Sequence, residues 1–189
     1  MAGKKHGPWT IKERLLKYQN HWVNVFEDQV VCPDGKEGIH TFIDLKTGSV
    51  VLPLDGDGHV YLTREFHYGV GRETIEVVAE GVEGKEKPLE VAQRGLKEEL
   101  GIEAEEWIDL GKVYRFTTYM DNPTGLFLAR KLRFSRQRLD STETISMIKM
   151  KLEEAVEKVM NGEINSGMSM ILILKAARYL KHERAKPRK

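Results

Sequence analysis

A chain of 189 residues, 40% hydrophobic and 31% charged, is long enough to bury a proper core and too apolar to be globally disordered. Its 30 basic and 29 acidic residues leave a net charge of +1, which provides no bulk attraction toward nucleic acid or a membrane surface. Cys32 is the only cysteine, so an intrachain disulfide and a cysteine metal cluster are both excluded, and a reducing cytoplasm is compatible.

The opening MAGKKHGPW is basic but has no apolar h-region, so no signal peptide is expected. Residues 11–19 form a short amphipathic stretch, and WVNVFEDQVV (22–31) alternates as a strand does. Pro33-Asp34-Gly35 supplies a turn, and residues 40–43 and 49–53 read as further strands. Trp9, Trp22 and Phe26 fit core or interface positions better than base-stacking ones. Asp55-Gly56-Asp57-Gly58 is a hairpin turn leading into the strand HVYLTREF. It lacks the later oxygen ligands of an EF-hand loop. Arg64 and Arg72 flank the flexible HYGVG, and Arg72 beside Glu73 also suits a surface ion pair. His67 has no partner at metal-ligand spacing and reads as structural. Residues 74–78 form a buried strand.

Residues 79–102, AEGVEGKEKPLEVAQRGLKEELGI, are the most informative stretch. Gly81 and Gly84 make a permissive loop, Pro88 suits a first helical turn, and Leu89, Ala92, Leu96 and Leu100 recur at the spacing of one buried helical face. Gly101 stops the helix. Glu98 and Glu99 sit side by side one turn beyond Arg94, which reaches Glu98 across an i, i+4 spacing. Such a pair is common as a solvated acidic patch, but it also suits Mg²⁺, which takes one or two carboxylates plus substrate phosphates.

Beyond this stretch, residues 107–114 and 126–132 read as strands, and the polar segment RQRLDSTETIS (136–146) as a mobile loop. Residues 151–160 form an amphipathic helix stopped at Asn161-Gly162, and Ser166 caps a last helix running to Leu180. Its apolar run MSMILIL is too short to span a bilayer, and Met168 and Met170 suit core filling. KHERAKPRK reads as a solvated basic tail.

The 79–102 stretch resembles the Nudix box: Gly, five residues, Glu, seven residues, Arg-Glu, an aliphatic, any residue, Glu-Glu, any residue, Gly, aliphatic. Anchored on Glu98 and Glu99, the box places its Arg at Arg94, its first Glu at Glu86 and its last two positions at Gly101 and Ile102. The flanking REFHYGVGRETIEVVAEGVE and TGLFLARKL resemble the branch that hydrolyses ADP-ribose and nucleoside diphosphate sugars. Two positions depart from the pattern. Glu80 stands where the box opens with Gly, and Gly95 stands where the box has the Glu after Arg, normally a metal ligand. This describes either a decayed site or an exchange, in which Gly95 clears the space that the Glu80 carboxylate enters.

The resemblance implies an α/β (α+β) fold, the Nudix α/β/α sandwich with a mixed sheet. A small antiparallel N-terminal β-domain (1–50) precedes the catalytic domain (51–180) and the tail (181–189). It implies a cytoplasmic homodimer that uses Mg²⁺, or Mn²⁺ in its place, to cleave a small nucleotide sugar into a nucleoside monophosphate and a sugar phosphate. By the same resemblance the Ala79 carbonyl, Glu80, Glu98 and Glu99 are metal ligands, Arg94 and Glu86 orient them, and Arg64 and Arg72 contact the diphosphate. Glu143, with Asp140 as the fallback, is the catalytic loop carboxylate. Pro123 lies later in its loop than the branch usually places a Pro, which weakens the case for ADP-ribose over other nucleotide sugars. An inactive nucleotide-binding relative, or a hydrolase of dinucleotides or capped RNA, are the alternatives.

Overall fold

The computed structural model describes residues 3–138 and 144–185. Its backbone divides into two compact units, Met1–Thr47 with Tyr114–Pro123 and Gly48–Val113 with Thr124–Lys189.

The first unit is an antiparallel sheet in the order β1 (Lys4–His6), β2 (Trp9–Gln19), β3 (Val23–Val31), β4 (Glu37–Leu45). Residues 11–19, amphipathic in sequence, are part of strand β2. Register shifts at Ile11/Glu13 and Leu16/Tyr18 interrupt its alternation, as an extra residue on one strand does. Arg14 Nε and Nη2 donate to both oxygens of the buried Asp28 at 2.7 Å, and the guanidinium lies 4.5 Å from the Phe42 ring centroid. Asn122 Nδ2 donates to the carbonyls of Leu45 and Lys46, both at 2.9 Å. Trp22 is 68% exposed beneath Lys46, which removes it from any core.

The second unit holds a mixed sheet in the order β8 (Val78–Gly81), β5 (Gly48–Pro53), β10 (Pro123–Phe134), β9 (Ile102–Tyr114). β5 runs antiparallel to β8 and parallel to β10. A second, three-stranded sheet has the order β11 (Ser146–Lys151), β6 (His59–His67), β7 (Arg72–Glu76). Three helices, α1 (Pro88–Leu100), α2 (Leu152–Met160) and α3 (Gly167–Ala185), complete the described elements. The period of two along a strand sends alternate side chains to opposite faces. Val50, Leu52, Leu126 and Leu128 join one core with α2 and α3, while Val51, Phe127 and Ala129 join another with Ala92, Leu96 and Leu100 of α1. A sheet buried on both faces explains the near-continuous apolar run of β5, and it gives the α/β/α sandwich.

Several element bounds and one buried face differ from the sequence reading: α3 runs on through Ala185, past the Leu180 read for it and into the expected tail, and β9 starts at Ile102 rather than 107. Residues 74–78 do not form one strand: β7 pairs with β6 and β8 with β5, and the chain changes sheets at Val77, whose N–H donates to Ser169 Oγ on α3 at 3.1 Å. Strand β11 occupies 146–151, before a helix that starts at Leu152 rather than 151; Met and Lys residues gave it little strand character. On α1, Leu89 is 37% exposed and Val91 is buried in its place.

Candidate active site

The loop that enters α1 is closed by one carboxylate. Glu86 Oε2 accepts the Glu83 N–H at 2.9 Å, and Lys87 N–H bonds Glu90 Oε2 at 2.8 Å to close the first helical turn. Pro88 follows at the helix start, with its carbonyl held by Ser49 Oγ at 2.7 Å. The helix is thereby fixed against β5 before its carboxylates begin.

Arg94 is the hub of the site. Its Nε and Nη2 fork onto both oxygens of Glu86 at 2.9 Å, and Nη2 also donates to the Gly81 carbonyl at 2.7 Å. Nη1 is shared between Glu80 Oε2 at 3.2 Å and Glu98 Oε2 at 3.4 Å. The bonds to Glu86 hold the guanidinium fully charged, and they hold the Glu86 carboxyl down at about 2. Glu80 behaves oppositely. Burial pushes its carboxyl up, and the nearby Glu98 charge adds to this, against the Gly81 N–H and Arg94.

The two positions that depart from the box pattern touch each other. Glu80 lies on β8, opposite Ser49, and its side chain packs on Gly95 of α1. A Cβ at position 95 would fall 2.6 Å from Glu80 Cβ and 3.1 Å from its Cγ. No side chain can stand at 95 while Glu80 is in place, so the absence of a side chain on the helix is what admits the carboxylate from the strand. Glu99, one turn beyond Gly95, is only 8% exposed, while the Glu98 side chain is 45% exposed.

Glu98 and Glu99 occupy the last turn of α1, the end where the helix dipole disfavours anions. Glu80, Glu86 and Glu98 share the one guanidinium of Arg94. A hard divalent cation with oxygen ligands answers both imbalances, so these residues fit the metal that the box pattern implies. Ala79 is exposed on β8 beside Glu80, opposite Val50. A second acidic group, Asp55, Asp57 and His59, has ligand atoms within 4.8 Å of one another. Its Asp55 is already satisfied as a turn residue: Oδ1 accepts the N–H groups of Asp57 and His59, and Oδ2 accepts Tyr61 Oη–H at 2.9 Å beside Lys149 at 3.2 Å. Burial pushes the Asp55 carboxyl up, but these donors outweigh it and hold the group well below the usual carboxylate range.

Arg64 on β6 and Arg72 at the start of β7 are exposed, and Arg64 lies within electrostatic reach of Lys158 on α2. Glu143 and Asp140 lie outside the described residues. Both ends of the segment that carries them are anchored near the site. Arg138 N–H donates to the Glu98 carbonyl at 2.9 Å, and Gln137 Nε2 donates to the carbonyls of Glu99 and, at 3.4 Å, Ile145. The polarity of residues 136–146 suggested a mobile loop, whereas Gln137 and Arg138 are bound to the helix end. Their partners are backbone carbonyls, which leave no side-chain motif to read.

The NUDIX domain family matches residues 44–165. The chain belongs to the Nudix family. This Nudix pyrophosphohydrolase is 24% identical over 144 residues to the ADP-ribose pyrophosphatase of Bacillus subtilis (strain 168), covering 75% of this chain and 78% of that one. It is 23% identical over 185 residues to the methanol dehydrogenase activator of Bacillus methanolicus, covering 96% and 100%. In three dimensions it is similar to a crystal structure of an ADP compounds hydrolase, with a TM-score of 0.83 at 18% identity, covering 95% of this chain and 98% of that one. The last comparison shows the fold and assigns no substrate.

Proposed function

We propose that this Nudix enzyme cleaves the diphosphate of a nucleoside diphosphate sugar of the ADP-ribose type, with Mg²⁺ or Mn²⁺, to a nucleoside monophosphate and a sugar phosphate. The observation that carries it is the packing of Glu80 on Gly95. A decayed site has no reason to keep an acidic side chain in the space that a missing acidic side chain has left. Here the box has lost one carboxylate from the helix and regained one from the adjacent strand.

Glu80, Glu98, Glu99 and the Ala79 carbonyl would hold the metal, which when bound supplies charge neutralisation for the diphosphate and activates water. The chain does the rest by positioning. Arg94, forked onto Glu86, holds Glu80 and Glu98 on one side of the site. Glu143 takes the proton of the attacking water, a role supported by the bond from Arg138, the residue before its segment, to the Glu98 carbonyl. Arg64 and Arg72 offer planar donors to the diphosphate oxygens. The exposed first unit supports a homodimer, because β1 to β4 bury only Asp28 and Val30 and leave Leu16, Tyr18 and Ile39 open. No described helix is long and apolar enough to cross a membrane. The lone Cys32 suits a reducing cytoplasm.

A panel of nucleotide sugars, dinucleotides and capped RNA incubated with Mg²⁺ or Mn²⁺, with products resolved by chromatography, tests this reading. We expect turnover of a nucleotide sugar to two monophosphates, abolished by Glu99→Gln. Binding without turnover across the panel would instead make the protein a nucleotide sensor.

A further inference from the structure

We propose that Gln137 is a positioning residue for the metal site, acting through the backbone of Glu99 to hold the Glu98-Glu99 pair in place. The inference rests on the proposed metal role of that pair. The last four carbonyls of a helix have no partner within the helix, and α1 ends at Leu100, so Glu98 and Glu99 lie in the turn that most needs an external cap. Residues 135–138 supply it. Ser135 donates its N–H at 2.6 Å and its Oγ–H at 3.0 Å to the Gly101 carbonyl, Gln137 Nε2 donates to Glu99, and Arg138 N–H donates to Glu98.

Gly101 makes this approach possible. It takes φ +62°, and a Cβ there would fall 2.4 Å from the Ser135 carbonyl oxygen and 2.8 Å from the Gln137 nitrogen. The strap therefore lies against bare backbone. Gln137 is the one side chain in it that reaches the carbonyl of Glu99, and the second N–H of its amide goes to Ile145 on the far side of residues 139–143. The two donors of one amide thus join the carboxylate-bearing turn to Ile145, the residue before β11.

The electrostatics act in the same direction. Two carboxylates at the negative end of a helix repel the exposed carbonyls beside them, and donors on those carbonyls offset the repulsion. Removing one lets the last turn fray and moves the carboxylates by enough to matter, since outer partners of metal ligands typically contribute about 10–100-fold in metal affinity.

The test is Mn²⁺ titration of the full chain, read as free Mn²⁺ by electron paramagnetic resonance, with nucleotide-sugar hydrolysis measured alongside. Gln137→Met keeps the length and removes both donors. It should weaken Mn²⁺ binding about tenfold and raise the metal concentration for half-maximal rate, while kcat at saturating metal falls far less. Gln137→Lys, which restores a donor, should recover most of the affinity. Ser135→Ala, which loses a bond to Gly101 but none to Glu99, should lower the melting temperature and leave Mn²⁺ affinity within about twofold of the parent, the scatter expected of an uncoupled site. Equal Mn²⁺ affinity in Gln137→Met and the parent, with Glu99→Gln unable to bind, would overturn the positioning role alone. Parent-like Mn²⁺ binding by Glu99→Gln would overturn the metal site beneath it.

Discussion

At position 95 a glycine in mid-helix costs about 0.5–1 kcal/mol relative to alanine. Gly95→Ala removes that cost but drives a Cβ to 2.6 Å from Glu80 Cβ, an atom too close to the backbone to swing aside. We therefore expect Gly95→Ala to destabilise by about 1–3 kcal/mol, the usual cost of overpacking. The same change should be neutral or stabilising in a Glu80→Gly background, as urea unfolding without metal would show. Glu86 makes a separate prediction through its charge. Its folded pKa is depressed to about 2 by Arg94, below its ordinary value of 4.5, so its contribution is present above that ordinary value and is lost as pH falls toward about 2. The stability difference between the parent and Glu86→Gln should be largest at pH 6 and mostly lost by pH 2. At this scale the box residues were legible because their spacing is long and specific. The contact between Glu80 and Gly95 was one of two readings of the departures from the pattern, the other being decay, and their spacing alone could not choose between them.

The same helix shows what an element's sequence does and does not reveal. α1 could be bounded from Pro88 and Gly101 because a missing N–H and a positive φ are local requirements. Its buried face was misread at Leu89, which is 37% exposed, while Val91 two positions on is buried. Leu96, fully buried between β5 and β10 residues, carries the helix: Leu96→Ala should cost about 2–5 kcal/mol. Leu89→Ala should cost under about 1 kcal/mol, within reach of thermal unfolding to resolve. Strands β2 and β11 were missed for two different physical reasons. Register shifts broke the alternation of the first, and the second joins its sheet through an edge pairing with β6 that Met and Lys residues do not announce.

For the whole molecule, the sandwich was legible only through the resemblance of residues 79–102 to the Nudix box, and the structure then shows β5 covered on both faces as that fold requires. The membership of Tyr114–Pro123 in the first unit was not, because it depends on contacts such as Ile43 N–H to the Tyr119 carbonyl at 2.8 Å, between residues far apart in sequence. That unit leaves Ile39 66% exposed and Tyr18 56% exposed on a sheet with almost no core of its own. Light scattering should accordingly give twice the 21.7 kDa chain mass, and Ile39→Lys with Tyr18→Lys should shift the protein toward the monomer. A parent that is monomeric at micromolar concentration would remove the second copy from the account.

The proposed exchange replaces the carboxylate lost from the helix with one from the strand. Mn²⁺ affinity across the cycle Glu80→Gly, Gly95→Glu and their combination separates it from a decayed site. Glu80→Gly alone removes the proposed ligand, and Gly95→Glu alone forces two acidic side chains into one space. Each should weaken binding about tenfold or more, as loss of a metal-site contact does. The combination, which rebuilds the usual box, should return to within a few-fold of the parent, a coupling of about 1–3 kcal/mol. Additive losses in the double variant, or a Glu80→Gly protein that binds Mn²⁺ as the parent does, would contradict the exchange.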